Sequence, residues 1–316
     1  MTSEAWNALR EEIGGELAHP ALLPAAQAAA EAIRADFGNA VEAVLFYGSG
    51  LRDGDDSGKV LDFYVIVRRY REAYPSLAKA LANAVLPPNV FYFETAFEGR
   101  AVRSKVAVYS MADFAEAASR SHFDSYVWSR FAQPSALVYA RNDDAALAIA
   151  EAVSHAVVTL LEKTVPLVPP AFSSDQLWTR AFTETYSVEL RSERPGKGAE
   201  IYAANAARYD RLAKSALSLT KWNVTSGPDG FVVANTSARR FRAIVAWRTR
   251  RIYCSTLHVL RLIKAVFTFA GGIDYLAWKI SRHSGVAIEI TPWQRRHPLL
   301  AGPALFWRLR RKGAFR

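Results

Sequence analysis

The chain has 316 residues, 51% of them hydrophobic and 12% aromatic, a formal net charge of +10 and one cysteine. Such a chain holds one large domain or two modest ones with cores of their own, and its composition excludes overall disorder. The lone Cys254 excludes an intramolecular disulfide framework and a cysteine-rich zinc site, and it suits a reducing cytosol.

Met1 to Glu12 carries acids and no apolar run, so it does not read as a secretory leader. Residues 3–37 read as Ala-rich helix interrupted by Pro20 and Pro24. Ala43 to Tyr47 is a short buried-strand pattern that ends in a glycine turn, Gly48-Ser49-Gly50. A polar loop with Asp53, Asp55 and Asp56 leads to a second strand, Val60 to Val67. A helical stretch, Tyr74 to Ala84, stops at Pro87-Pro88, and Val90 to Phe97 resumes strand character. Glu98-Gly99 reads as a hairpin turn into Val102 to Tyr109. From Met111 onward the pattern is mostly helical, with breaks at 166–170, at Ser192 to Gly198 and over 223–238. The expected fold is α+β: a mixed sheet with helices over residues 1–150, a mainly helical domain over 151–285, and a basic aromatic tail over 286–316.

A strand that delivers into Gly-Ser-Gly, followed by a strand bearing Asp62, is the usual frame of a nucleotidyltransferase active site. Gly48 and Gly50 let the backbone approach a triphosphate, and Ser49 can donate a hydrogen bond to it. Asp62 would hold Mg²⁺, which neutralises charge as pyrophosphate departs. The same turn also describes an ordinary strand-to-helix connection. A second metal carboxylate is expected two residues along the strand, on the same face, but that position is Tyr64. The second ligand would come from Asp53, Asp55 or Asp56 in the loop, or from Glu94 on the next strand. The histidines are scattered without metal-ligand spacing.

In order along roughly residues 40–285, the segments resemble the mitochondrial-type phosphatidate cytidylyltransferase family, which makes CDP-diacylglycerol from CTP and phosphatidic acid. Phe46-Tyr47-Gly48-Ser49-Gly50 and Leu61-Asp62-Phe63 are similar to its Tyr-Gly-Ser-Gly and hydrophobic-Asp-Phe elements. Asn89 to Phe93 and Arg103 to Ser110 follow, with Lys105 on the family's strand lysine. Tyr126 to Pro134 is similar to its Gly-Arg-Leu-Gln-Lys-Pro segment and puts Arg130 on the arginine. Thr185-Tyr186-Ser187-Val188-Glu189-Leu190-Arg191 is similar to Ser-Tyr-x-Gly-Asp-Phe-Arg, and Lys264 to Gly271 to the basic, Gly-containing C-terminal segment. The departures are a shorter loop between Gly50 and Asp62, Val188-Glu189 for Gly-Asp, and Ser129 before Arg130.

The resemblance implies a magnesium-dependent transfer with Asp62, Lys105 and Arg130 as catalytic residues. It implies nucleotide binding by Tyr47, Gly48, Ser49 and Gly50, metal binding by Asp62 and Glu94, and substrate binding by Tyr186, Glu189, Arg191 and Lys264. From the residues alone, Lys105 also reads as an exposed strand charge, and Arg130 as a surface arginine covering Trp128 and Phe131. Glu189 with Arg191 also reads as a local ion pair. The other readings are a nucleotidyltransferase acting on another small molecule or RNA, and a non-catalytic lipid-surface protein.

Charge is unevenly spread. Residues 239–316 hold 17 Lys/Arg against two acids, a balance of +15, and residues 1–238 carry −5. Within the basic end, Leu257, Leu260, Ile263, Val266 and Phe267 fall three or four apart with Arg261 and Lys264 beside them. The best candidate for a membrane span, Ala265 to Ile273, is only nine residues, too short to cross a bilayer. Basic and aromatic residues together suit peripheral contact with an anionic membrane surface, expected on the inner face of the cell membrane. The acidic body argues against nucleic acid as a partner. Composition and motifs leave the oligomeric state open.

Overall fold

A computed structural model describes residues 2–18, 22–54, 59–188, 196–227, 230–268, 288–296 and 307. The fold is α+β. Two helices, α1 (Thr2–Ala18) and α2 (Pro24–Phe37), precede strand β1 (Val41–Tyr47). Pro24 starts α2, where a missing N–H costs nothing, and Gly38 at φ +55° ends it. A one-turn helix α3 (Ser49–Asp53) then leads to β2 (Val60–Val67). Short helices α4 (Tyr70–Ala73) and α5 (Leu77–Val85) connect it to the hairpin β3 (Asn89–Phe97) and β4 (Arg100–Ser110). The hairpin turns at Glu98 and Gly99, both with positive φ.

Helices α6 (Met111–Ala118) and α7 (Trp128–Phe131) precede β5 (Ser135–Ala140). The strand follows Pro134 inside a region whose pattern reads as helical, so it is an addition to the expected elements. The strands assemble in the order β3-β4-β2-β1-β5, with β2 and β4 parallel and the other pairs antiparallel. Helix α8 (Asp143–Thr164) opens with an Asn142 cap that accepts from the Ala145 N–H at 2.9 Å.

Beyond α8 lie β6 (Ala171–Phe172), α9 (Ser174–Val188), α10 (Lys197–Ala204), α11 (Ala206–Leu217), β7 (Val224–Gly227), β8 (Gly230–Val233), α12 (Ser237–Thr268) and α13 (Pro292–Arg296). Strands β6, β8 and β7 form a second, antiparallel sheet. Residues 223–238, expected as a break, thus contain a hairpin.

Alternation along the strands sends side chains to two cores. Phe46, Leu61, Phe63, Val65 and Val106 face one side and are covered by Ala25, Ala29 and Ile33 of α2. Leu45, Tyr64, Ile66, Ala107 and Tyr109 face the other, against α1, α6, α7 and α8. The second core continues without interruption through Trp178, Tyr209, Trp247 and Cys254 of α9, α11 and α12. The boundary expected at 150 falls inside α8, which belongs to the sheet core and the helical core at once. Asp143–Leu167 is apolar and long enough to cross a membrane by length and composition, and 67% of its most apolar window is buried inside the protein. Among the described residues, the helix that meets the length and composition for a span is thus this core helix, while 269–273 of the expected Ala265 to Ile273 candidate lie outside the described residues.

Helix α12 carries apolar residues on both its inner and its outer side. Trp247, Arg250 and Cys254 are buried on its inner side, while Phe241 is 67% and Ile252 72% exposed. Arg261 and Lys264, expected beside an apolar stripe, turn inward to the sheet, and Leu260 and Ile263 turn outward. The side chains of Val266 and Phe267 lie outside the described residues, as does most of the expected 286–316 tail.

Candidate functional site

Asp62 belongs to one row of residues that crosses all five strands. Ser135 pairs with Tyr47, Tyr47 with Asp62, Asp62 with Lys105, and Lys105 with Tyr92. Directly paired residues point to the same face, so β1, β2 and β4 deliver Tyr47, Asp62 and Lys105 side by side. The Lys105 ammonium lies 3.9 Å from Asp62 Oδ1, and both side chains are 31% exposed. Beside the row stands Phe131 of α7, its ring 6.0 Å from that of Tyr47.

Gly48 follows Tyr47 at φ +93°, a conformation that favours glycine. A Cβ there would lie 3.4 Å from Asp62 Oδ2, so the absent side chain leaves space beside the carboxylate. Gly50 is held for a different reason: a Cβ would come within 2.9 Å of Leu61 Cδ2 and 3.2 Å of Phe46 Cζ. Its role is close packing of α3 onto the strands. Ser49 opens α3.

Arg130 reaches this row because β5 pairs beside β1, and α7 lies just before β5. It donates to the Tyr126 carbonyl at 2.7 Å, and its guanidinium lies 4.0 Å from the Tyr126 ring centroid. A second guanidinium, that of Arg261, lies 4.6 Å from the same centroid. Arg261 is fixed by Asp124 at 2.7 Å and by the Pro87 carbonyl at 2.8 Å. One turn on, Lys264 donates to the carbonyls of Leu86 and Pro88 at the entry to β3.

The electrostatics follow from this crowding. Burial and the neighbouring Asp62 push the Tyr47 phenol up to about 12, against the opposing pull of Arg130 and Lys105. Burial acts to lower the Lys105 ammonium, but Asp62, Tyr126 and Tyr47 outweigh it and hold its pKa above the ordinary lysine value. Lys105 therefore stays protonated at neutral pH. Lys264 goes the other way: burial and the adjacent Arg261 bring it down to about 7.

Tyr64 has a physical reason to stand where a second carboxylate was expected. It faces the same side as Asp62 but is 1% exposed, with its ring against Tyr47 at 5.3 Å and Phe131 at 4.9 Å. A carboxylate in that aromatic pocket would lose its hydration without a partner. Glu94 also shares the face, two strands from Asp62, but it is engaged by Arg103 at 3.2 Å and accepts from the Tyr92 hydroxyl at 2.5 Å. Among the described residues no three His, Cys, Asp or Glu side chains are gathered for a metal.

The structure thus brings together Tyr47, Gly48, Asp62, Lys105 and Arg130, and does not bring Glu94 to them. Tyr186 lies on α9, whose next residue, Ser187, accepts from Arg251 of α12 at 2.8 Å. Glu189 and Arg191 lie outside the described residues, as do Asp55 and Asp56. Two residues were missed as site members, Tyr126 and Arg261. Their sequence signals were slight: Tyr126 opens the segment that carries Arg130, and Arg261 lies one turn before Lys264. Comparison of the chain with protein-family models and with curated proteins gives no match.

Proposed function

We propose that the protein is a nucleotidyltransferase that moves CMP from CTP to phosphatidic acid, giving CDP-diacylglycerol and pyrophosphate. The observation that carries the reading is the single row of Tyr47, Asp62 and Lys105 beside the Gly48 turn, with Arg130 next to it. One carboxylate among several cations is a setting for two phosphorylated reactants that repel each other.

The acceptor needs no dedicated base. A phosphate monoester has a second pKa of about 6 and is largely dianionic near neutrality. One of its oxygens attacks the α-phosphorus of CTP, the bond from that phosphorus to the bridging oxygen breaks, and pyrophosphate leaves with the electron pair. Lys105 and Arg130 would hold the two anions at attacking distance and offset their charge, which is most of what such a transfer requires. Asp62 is the residue that would hold Mg²⁺. The open space beside its Oδ2 at Gly48 fits an ion bound through one carboxylate plus substrate phosphates and water. When bound, that ion would neutralise charge building on the departing pyrophosphate.

The same cations would serve transfer to RNA. The outward apolar face of α12 favours a lipid acceptor instead, because RNA has no use for it. The reading places the protein in the cytoplasm, peripheral on the inner face of the cell membrane. The test is to incubate the full chain with labelled CTP and Mg²⁺, with and without phosphatidic acid. Label appears in lipid, and pyrophosphate is released, only when phosphatidic acid is present. Pyrophosphate release that ignores the lipid, or no turnover at all, refutes the reading.

A further inference from the structure

We propose that Glu94, held by Tyr92 and Arg103, reads the base of the nucleoside triphosphate and selects cytosine over uracil. The inference rests on the nucleotidyltransferase reading above. It assigns a side chain to the choice of pyrimidine, which cations facing phosphates cannot make.

The register that sets Asp62 against Lys105, and Lys105 against Tyr92, also sets Arg103 against Glu94 two residues along. Residues two apart on a strand share a face, so Glu94 and Arg103 stand on the same side of the sheet as Asp62. From Asp62, Glu94 lies two strands across and two residues along, about 10 Å by about 7 Å at ordinary strand dimensions. A nucleotide held by its phosphates at Asp62 and Lys105 covers that span with its ribose and base. The sheet face also opens in this direction. On the other side of the row Tyr64 and Ala107 are buried, whereas the Arg103 side chain is 29% and the Glu94 side chain 49% exposed.

The local contacts leave one oxygen for a ligand. Glu94 Oε1 accepts from the Tyr92 hydroxyl at 2.5 Å and lies 3.2 Å from Arg103 Nε. Among the described residues, Glu94 Oε2 has no hydrogen-bond or ion-pair partner. Two holds on Oε1 fix the side chain, so less rotamer freedom is lost when Oε2 takes a donor. A carboxylate accepts and cannot donate. Cytosine carries an amino group, a donor, at the position where uracil carries a carbonyl, an acceptor, and a glutamate is the side chain suited to that amino group. Uracil would set acceptor against acceptor and leave the carboxylate oxygen unpaired. The offset that keeps Glu94 from sharing a metal with Asp62 is the offset that a base reader needs.

The test is calorimetric titration of the full chain with CTP and with UTP, in Mg²⁺, for the wild type, E94Q and E94A. The wild type should bind CTP about tenfold or more tightly than UTP. In E94Q the side-chain amide can turn its N–H₂ to the uracil carbonyl, so the ratio should fall to about one, chiefly through tighter UTP binding. In E94A it should fall through weaker CTP binding. Both variants should keep the wild-type melting temperature, because the Glu94–Arg103 pair is partly exposed. A ratio that neither variant changes overturns the inference, and so does a wild type that binds CTP and UTP equally. A wild type that binds neither nucleotide overturns this inference and the transferase reading together. The two separate in transfer assays. Transfer of CMP to phosphatidic acid with a CTP-to-UTP preference untouched by E94Q refutes the base assignment alone. A preference for CTP that depends on Glu94, with no transfer to lipid, upholds the base assignment and refutes the lipid reading.

Discussion

Replacing Asp62 with Asn separates a catalytic carboxylate from a structural one. The change removes one charge and almost no volume. The lost contact with Lys105, at 3.9 Å, would be worth about 4 kcal/mol by Coulomb's law at an effective dielectric of about 20. Both side chains are 31% exposed, so solvent screening reduces the net contribution to about 1 kcal/mol or less. Melting should fall by no more than about 4 °C. Turnover should fall far more, by about a thousandfold, which corresponds to about 4 kcal/mol in the barrier. The paired measurements are thermal melting and label transfer from CTP to phosphatidic acid. A variant that keeps more than a tenth of wild-type turnover refutes the assignment of Asp62. A variant that is inactive because it no longer melts cooperatively refutes the claim that the pair is marginal to stability.

Lys105→Ala and Arg130→Ala should each raise the KM for CTP or for the lipid phosphate about tenfold, with the fold retained; steady-state kinetics and melting of both variants check this. Arg261→Met leaves Asp124, which is 2% exposed, without its closest partner. Denaturant unfolding should show a loss of about 3–5 kcal/mol, larger than the loss for Asp124→Asn. Lys264 supplies a pH dependence. Its folded pKa of about 7 lies below the ordinary 10.5, so between those values the unfolded chain binds more protons and stability rises with pH. Melting temperature should therefore climb from pH 7 toward pH 10 in the wild type, and Lys264→Met should flatten that climb. A residual rise near pH 8 belongs to Lys163, lowered to about 8 by burial and by Arg250.

The strands β1 to β4 were legible because each alternates or runs apolar between clear turn residues, and β2 matched residue for residue. Strand β5 was not, because Ser135–Ala140 is six residues long and sits between segments of helical composition. Its placement is settled by pairing with β1, a long-range contact that no local pattern encodes. The same limit governs the candidate site. Tyr47, Gly48 and Asp62 could be named from a turn and a strand, but their alignment with Lys105 depends on β4 pairing parallel to β2. Tyr64 could be seen to replace a carboxylate, while the reason, its packing under Tyr47 and Phe131, exists only in three dimensions. For α12 the period was legible and the side was not. Alternating Arg and apolar residues admit two rotations, and the partners at Asp124, Phe123 and Pro87 decide between them.

Those partners also decide where α12 sits lengthwise. Apolar packing is non-directional, so a purely greasy helix can slide or turn against its bed at small cost. Here Arg250 needs the Phe123 carbonyl, Arg261 needs Asp124 and Pro87, and Lys264 needs Leu86 and Pro88. A slip of one residue moves each of them about 1.5 Å along the axis and turns it about 100° around it. All three cations would lose their acceptors together, and Leu262 would arrive opposite a buried aspartate. The helix is keyed to a single seat by its charges, and the exposed Phe241 and Ile252 on its back take no part in that choice.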